Sequence, residues 1–237
     1  MTKRKEIDYS KVFVVIPAFN EEKSIGKVIN AIPNVPRKNI VVVNNGSTDQ
    51  TQQVVESSGA TVLFENRMGY GWACLKGCDF VEKMDGETIV FLDGDFSDYP
   101  EELPKVIAPI YERDMDLVIG SRALGNREKG SMTIPQEFGN WLSSKLLKIF
   151  YGVNYTDLGP FRAMRFDSYK RLGMSDKTYG WTIEMQIKAA QKKMKYCEVS
   201  VDYKVRIGQS KVSGTIKGAV MAGIKIIFAV FKYKFVK

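Results

Sequence analysis

The sequence predicts an α/β fold: a mainly parallel sheet with helices on both faces, followed by a C-terminal amphipathic helix. Three observations predict it. Short runs such as Val12 to Ile16, Ile40 to Val43 and Thr88 to Leu92 are apolar almost throughout instead of alternating, as strands buried on both faces must be. Between them lie segments with apolar residues at helical spacing, long enough for crossover connections. At the carboxyl ends of the runs stand clusters of polar residues, the place where ligands bind in open sheets of this kind.

Taken in order, Val12-Phe13-Val14-Val15-Ile16 closes at Pro17, and Ile25, Val28 and Ile29 continue at helical spacing from a start near Ser24. Ile40 to Val43 leads into a helix beginning near Thr48. Thr61 to Phe64 precedes a helix from Tyr70 to Met84, and Thr88 to Leu92 precedes one from Glu101 to Arg113. Leu117-Val118-Ile119 is a fifth strand. The second half is less regular, with a helix near Phe138 to Phe150, a turn at Gly159-Pro160, a helix near Thr182 to Lys193 and an extended stretch from Tyr196 to Val205. From Gly214 to Lys237, apolar residues at helical spacing are accompanied by Lys217, Lys225 and Lys232, which fall in one sector of about 80° on a helical wheel. Such a basic amphipathic helix either lies on an anionic membrane surface or docks on the sheet domain, and the membrane is the expectation.

Composition narrows the chemistry. The chain has 237 residues, 35 Lys plus Arg against 27 Asp plus Glu, a net charge of +8, three cysteines and no histidine. A Ser-His-Asp triad, a histidine base and a His-containing zinc site are excluded, leaving carboxylates and hard divalent ions for metal chemistry. Cys74, Cys78 and Cys197 cannot make a four-thiolate zinc site and are expected as buried free thiols of an intracellular protein. Met1 to Lys11 has no apolar stretch resembling a secretion signal, and no run reaches the roughly 20 apolar residues of a membrane-spanning helix. The positive charge suits phosphorylated ligands or an anionic membrane. Nucleic acid is not an expected partner, and the oligomeric state is not legible.

The strongest local signal is Asp93-Gly94-Asp95 at the mouth of the Thr88 to Leu92 strand. Two carboxylates there suit Mg²⁺ or Mn²⁺, which can hold a diphosphate and offset the charge that develops as it departs; the plainer alternative is an acidic turn capping the next helix. Asn44 to Asp49 is either such a turn or a place where the Asn44 or Asn45 amide meets a nucleobase edge, a pattern that suits uracil. Asn66 to Trp72, with Arg67, Gly69 and Gly71, is either a glycine-rich helix start or a backbone approach to phosphate. Arg122 and Arg162 are candidate phosphate ligands. Arg206 and Lys211 bound a further basic cluster. Glu184, near the start of an apolar helix, is the candidate base if the acceptor is an alcohol, with Asp157 second.

In order along the chain, Val15-Ile16-Pro17-Ala18-Phe19-Asn20-Glu21, Asn45-Gly46-Ser47-Thr48-Asp49, Asn66 to Gly71, Asp93-Gly94-Asp95, Gly120-Ser121-Arg122, Gly159-Pro160-Phe161-Arg162-Ala163, Trp181 to Glu184 and Gly208-Gln209-Ser210-Lys211 make a pattern over residues 12 to 215. It resembles the family 2 glycosyltransferases, in particular dolichyl-phosphate mannosyltransferases and bacterial polyprenyl-phosphate sugar transferases. The resemblance implies a glycosyltransferase-A type fold and an inverting, metal-dependent transfer from a nucleotide-sugar to a polyprenyl-phosphate or other lipid acceptor. It implies that Pro17, Phe19, Glu21 and Asn45 line the nucleotide pocket, with Asp49, Arg67, Gly69, Arg162, Arg206 and Lys211 completing the donor side. Asp93, Asp95, Arg122 and Glu184 are the implied catalytic set, and Asp95, Asp93 and Ser97 the implied metal site.

Asn44 and Asn45 stand where the family usually has acidic residues, and Ser97 stands where the mannosyltransferases commonly have Gln, so a UDP-sugar is expected over GDP-mannose. The expected organisation is a catalytic domain over 1–213, with a nucleotide-sugar half at 10–122 and an acceptor half at 123–213, then the amphipathic helix at 214–237. The protein is expected in the cytoplasm, peripheral at the cytoplasmic membrane face. Two other classes share features with it: a haloacid dehalogenase-like phosphatase with Asp93 as nucleophile, and a non-enzymatic nucleotide- or lipid-binding module.

Overall fold

The computed structural model describes residues 6–208, 223 and 227–234. Four strands, β1 (Val12–Ala18), β2 (Ile40–Asn44), β3 (Thr61–Phe64) and β4 (Thr88–Phe91), are parallel, and Val14 of β1 lies between Ile40 of β2 and Val90 of β4. Their carboxyl ends therefore open on one rim. The fifth expected strand, β5 (Leu117–Ser121), is present but does not neighbour β4. A strand without an apolar run, β6 (Arg162–Arg165), lies antiparallel between them and pairs its Ala163 with both Val90 and Val118. With two arginines in four residues it is invisible to hydrophobic patterning. β7 (Tyr196–Ser200) lies parallel to β5 at the far edge, completing the order β3-β2-β1-β4-β6-β5-β7.

Alternation along β1 shows why the run is apolar throughout. Val12, Val14 and Ile16 pack on the face covered by α1 (Ile25–Ala31), α2 (Thr51–Ser57) and α4 (Leu103–Glu112). Phe13 and Val15 pack on the face covered by α3 (Tyr70–Lys83), α5 (Ile134–Tyr151), α6 (Phe166–Leu172) and α7 (Trp181–Gln191). Truncating Ile16, which is fully buried, to Ala carries a cost of about 2–5 kcal/mol. Cys74 and Cys78 are buried free thiols, and Cys197 is half-buried.

α5 begins four residues earlier than its apolar pattern indicates. The Thr133 N–H donates to Gln136 Oε1 (2.8 Å), and Pro135 lies in the first turn, so the start is fixed by capping chemistry. Residues 227–234 are helical, and they dock: Ala229 and Val230 join the core on the α3 and α7 side, Tyr151 Oη donates to the Val230 carbonyl (2.6 Å) and Gln191 Nε2 to that of Tyr233 (2.6 Å). Apart from Gly223, the rest of the expected C-terminal helix, including Lys217 and Lys225, lies outside the described residues, as does Lys211. Among the described residues no helix is long and apolar enough to cross a membrane.

Candidate active site

At the carboxyl ends of β1 and β4 the rim encloses a cavity of about 170 Å³. Eight residues singled out by sequence reach it: Pro17, Phe19, Glu21, Asn45, Gly69, Asp93, Asp95 and Arg206. Asp95 is 4 % exposed; its Oδ1 accepts from the Ser97 N–H (2.9 Å) and Ser97 Oγ (2.5 Å), and its Oδ2 faces the Arg206 guanidinium at 2.9 Å. Asp93 Oδ1 accepts from Tyr70 Oη (3.2 Å). Burial, and next the charge of Asp95, push the Asp93 carboxyl up to about 7. Glu21, whose Oε1 is 3.9 Å from Arg206, adds a third carboxylate to the same wall. Asp93 and Asp95 thus stand side by side in a poorly solvated recess, a place where a hard divalent cation would fit. Among the described residues no cluster of three Asp, Glu or Cys closes on one point, so Asp93 and Asp95 fit a cation that takes its other oxygens from solvent or a diphosphate.

Ser97 departs from its expected role. It is fully buried, and its hydroxyl donates to Asp95, so it positions that carboxylate and is not itself presented to the cavity. Behind it, Asp98 is 2 % exposed with neither carboxylate oxygen hydrogen-bonded among the described residues. Burial first, and then Asp93, raise its pKa well above the ordinary carboxylate range, favouring the neutral acid.

Asn45 lines the cavity, but its amide is committed: Nδ2 donates to the carbonyls of Glu65 and Arg67 (both 2.8 Å), and Oδ1 accepts from the Gly69 N–H (2.9 Å). Asn44 Oδ1 likewise caps the Ser47 N–H at 2.8 Å. The expected contact with a uracil edge is therefore not prepared: the Asn45 amide holds its own loop, and Asn44 is buried away from the cavity wall. Asp49 is used up locally, accepting from Thr51 and from the Glu22 N–H. Arg67 pairs with Glu65 at 2.7 Å and lies 3.5 Å over the Trp72 ring, outside the cavity wall. Gly69 and Gly71 serve a close approach: a Cβ on Gly69 would sit 2.3 Å from the Lys177 carbonyl oxygen, and one on Gly71 2.1 Å from that of Asp176. They let the 176–177 loop clamp the start of α3, which also brings Tyr179 into the cavity wall.

Arg122, Arg162 and Glu184 do not reach the cavity. Arg122 makes a two-pronged pair with Asp157 (2.8 and 2.7 Å). Burial opposes the Arg122 charge, but Asp157 more than offsets it, so the guanidinium pKa rises and that of Asp157 falls. Arg162 is wholly buried and donates to the carbonyls of Leu158, Gly159 and Thr182, stitching the Gly159-Pro160 turn to α7. Burial lowers its pKa to about 10. Glu184 is fully buried in a cage of donors: the Ser175 hydroxyl (2.6 Å), the Asp176 N–H (2.7 Å), Tyr233 Oη (2.6 Å) and Lys188 Nζ (2.8 Å). It holds a loop and the C-terminal helical segment together and is closed off from substrate. Sequence reasoning passed over Met68, Tyr70 and Tyr179; the first two lie inside the glycine-rich motif, whereas Tyr179 had no signal.

The family model for glycosyl transferase family 2 matches residues 13–173. The chain belongs to that family. It is 34% identical over 214 residues to an uncharacterized glycosyltransferase of Mycobacterium tuberculosis, covering 89% of this chain and 94% of the relative. It is 27% identical over 226 residues to the undecaprenyl-phosphate mannosyltransferase of Micrococcus luteus, covering 90% and 92%. Among solved structures, glucosyl-3-phosphoglycerate synthase from M. tuberculosis, in complex with Mn²⁺, UDP and glucosyl-3-phosphoglycerate, matches with a TM-score of 0.75 at 20% identity, covering 96% of this chain and 81% of that one. The fold is the glycosyltransferase-A-like α/β fold, and the protein is an enzyme of the glycosyltransferase class. That removes both the phosphatase and the non-enzymatic readings. Asp93 accordingly follows the fourth strand of this glycosyltransferase, not the first strand of a phosphatase.

Proposed function

We propose that this glycosyltransferase moves a sugar from a UDP-sugar to a polyprenyl-phosphate acceptor, with inversion, using Mg²⁺ or Mn²⁺ held at Asp93 and Asp95. The observation that carries the reading is the carboxylate pair: buried, braced by Ser97 and Tyr70, open toward a cavity and mutually repelling. The lipid-phosphate acceptor is suggested by the Micrococcus relative, and UDP by the ligand named for the solved synthase. When bound, the cation would steady the departing diphosphate. The chain's own groups do the rest. Asp93 and Asp95 fix the donor, Ser97 keeps the Asp95 oxygens oriented, and Arg206 exchanges its pairing with Asp95 for the incoming phosphates. A phosphate oxygen of the acceptor attacks the anomeric carbon as the bond to UDP breaks. That nucleophile is already anionic, so no base is required, which agrees with a chain without histidine and a Glu184 sealed in its cage.

The test incubates the protein with a panel of UDP- and GDP-sugars and Mn²⁺, offering undecaprenyl phosphate, phosphoglycerate or neither, and weighs the products. A glycosyl phosphoprenol from a UDP-sugar is the expected product. Turnover only with GDP-sugars, or only onto phosphoglycerate, would overturn the donor or the acceptor assignment respectively.

A further inference from the structure

We propose that the outward face of α5, with the groove along its flank, docks on a bilayer of anionic phospholipid. Most of this helix is not used to build the core: only Ser143 and Leu147 are buried. Ile134, Phe138, Trp141, Lys145, Lys148 and Ile149 fall within a sector of about 100° at 100° per residue. The four apolar members are 82 %, 60 %, 55 % and 71 % exposed. So large an apolar stripe on one helix marks an interaction surface, and its chemistry selects among occupants. The Phe138 and Trp141 rings lie 5.8 Å apart and tilted, and Trp is the side chain best suited to a headgroup boundary. Beside them stand lysines, as on helices that lie in that boundary.

The groove supplies the second observation. It has a volume of about 480 Å³ and shares Trp141, Lys145 and Lys148 with the stripe. Neither lysine has an acidic partner among the described residues, and the acid on this flank, Glu137, is paired with Arg127 at 2.9 Å. Two ammonium groups without an acidic partner among the described residues, set beside the apolar stripe, are the complement of an anionic phospholipid headgroup with acyl chains alongside. The surface continues past the end of α5, where Phe150 meets Phe231 (ring centroids 5.1 Å apart) on the C-terminal helical segment, whose Phe228 is 64 % exposed. The groove shares no residue with the donor cavity, so this docking does not depend on the proposed transfer reaction.

The test is co-sedimentation of the full chain with phosphatidylglycerol vesicles and with pure phosphatidylcholine vesicles, at low and high salt. Wild type is expected to bind the anionic vesicles, to lose them with salt and to leave phosphatidylcholine in solution. The double variant K145E/K148E is expected to bind about tenfold more weakly or worse, and F138S/W141S also to lose binding, while both bind UDP like wild type. No binding to phosphatidylglycerol, equal binding to both vesicles, or wild-type binding by both variants would overturn the proposal. Protection of Lys145 and Lys148 from acetylation by inorganic phosphate but not by vesicles would overturn it in favour of a small-anion site. Vesicle binding that persists in a protein unable to bind UDP would count against the donor reading alone.

Discussion

The rim formed by β1, β2 and β4 and the half that follows β5 use the same charged residues to opposite ends. After β5, three buried charges are each closed on partners within the fold: Arg122 on Asp157, Arg162 on three carbonyls, Glu184 on a ring of donors. At the rim, Asp93 and Asp95 both feel the guanidinium of Arg206, which follows β7, and they face a cavity. A buried charge whose partners are all internal has been spent on architecture. One left with too little countercharge beside open space is ready for a ligand.

Four experiments would break or sharpen this contrast, the first three in descending order of effect and the last read over pH. Asp157→Asn leaves Arg122 buried without its countercharge and is expected to lose about 3–5 kcal/mol of stability in chemical denaturation; a loss below about 1 kcal/mol would mean the pair is not architectural. Asp95→Asn is expected to do the reverse, lowering kcat about 100-fold or more with the melting temperature nearly kept. Undiminished turnover with metal present would remove Asp95 from the mechanism.

Glu184→Gln keeps the shape but weakens its bonds to Lys188 and Ser175, costing about 1–3 kcal/mol, and the pH profile of transfer should keep its shape. A lost acidic limb in that profile, with stability intact, would restore Glu184 as a base. The last experiment concerns Asp93 and is read over a range of pH. Its carboxyl titrates near 7 in the folded protein against an ordinary 3.8, so the folded state holds that proton more tightly. In metal-free protein its contribution to stability is therefore complete below about pH 3.8 and is lost as pH rises through about 7. Asp93→Asn should flatten this part of the stability curve. Added Mn²⁺ should reduce it too, since metal binding favours the ionised carboxylate. A wild-type curve that matches that of Asp93→Asn between pH 4 and 7 would show that Asp93 is not perturbed.

Much of this was legible in the order of residues. The parallel half could be read because strands buried on both faces must be apolar at every position, and Pro17, Phe19, Glu21, Asp93 and Asp95 could be read because the strands end there. β6 could not, because its stability comes from pairing on both sides and not from its own composition. The C-terminal segment carried a true helical pattern, but a pattern does not say what the apolar face meets; residues 227–234 place part of theirs on α5 and α7.

Sequence by itself determined the sheet's layering, the approximate extents of most helices though not the existence of α6, the position of the rim and the lack of any histidine chemistry, because these follow from local periodicity and residue type. Only the tertiary structure decided which charges were free to act. Arg122, Arg162 and Asp95 are alike as letters, each an ionisable group near a strand end. Their fates separate only when distant segments fold back to supply Asp157, the Thr182 carbonyl or the Arg206 guanidinium, since the field at a buried charge is set by its neighbours in space.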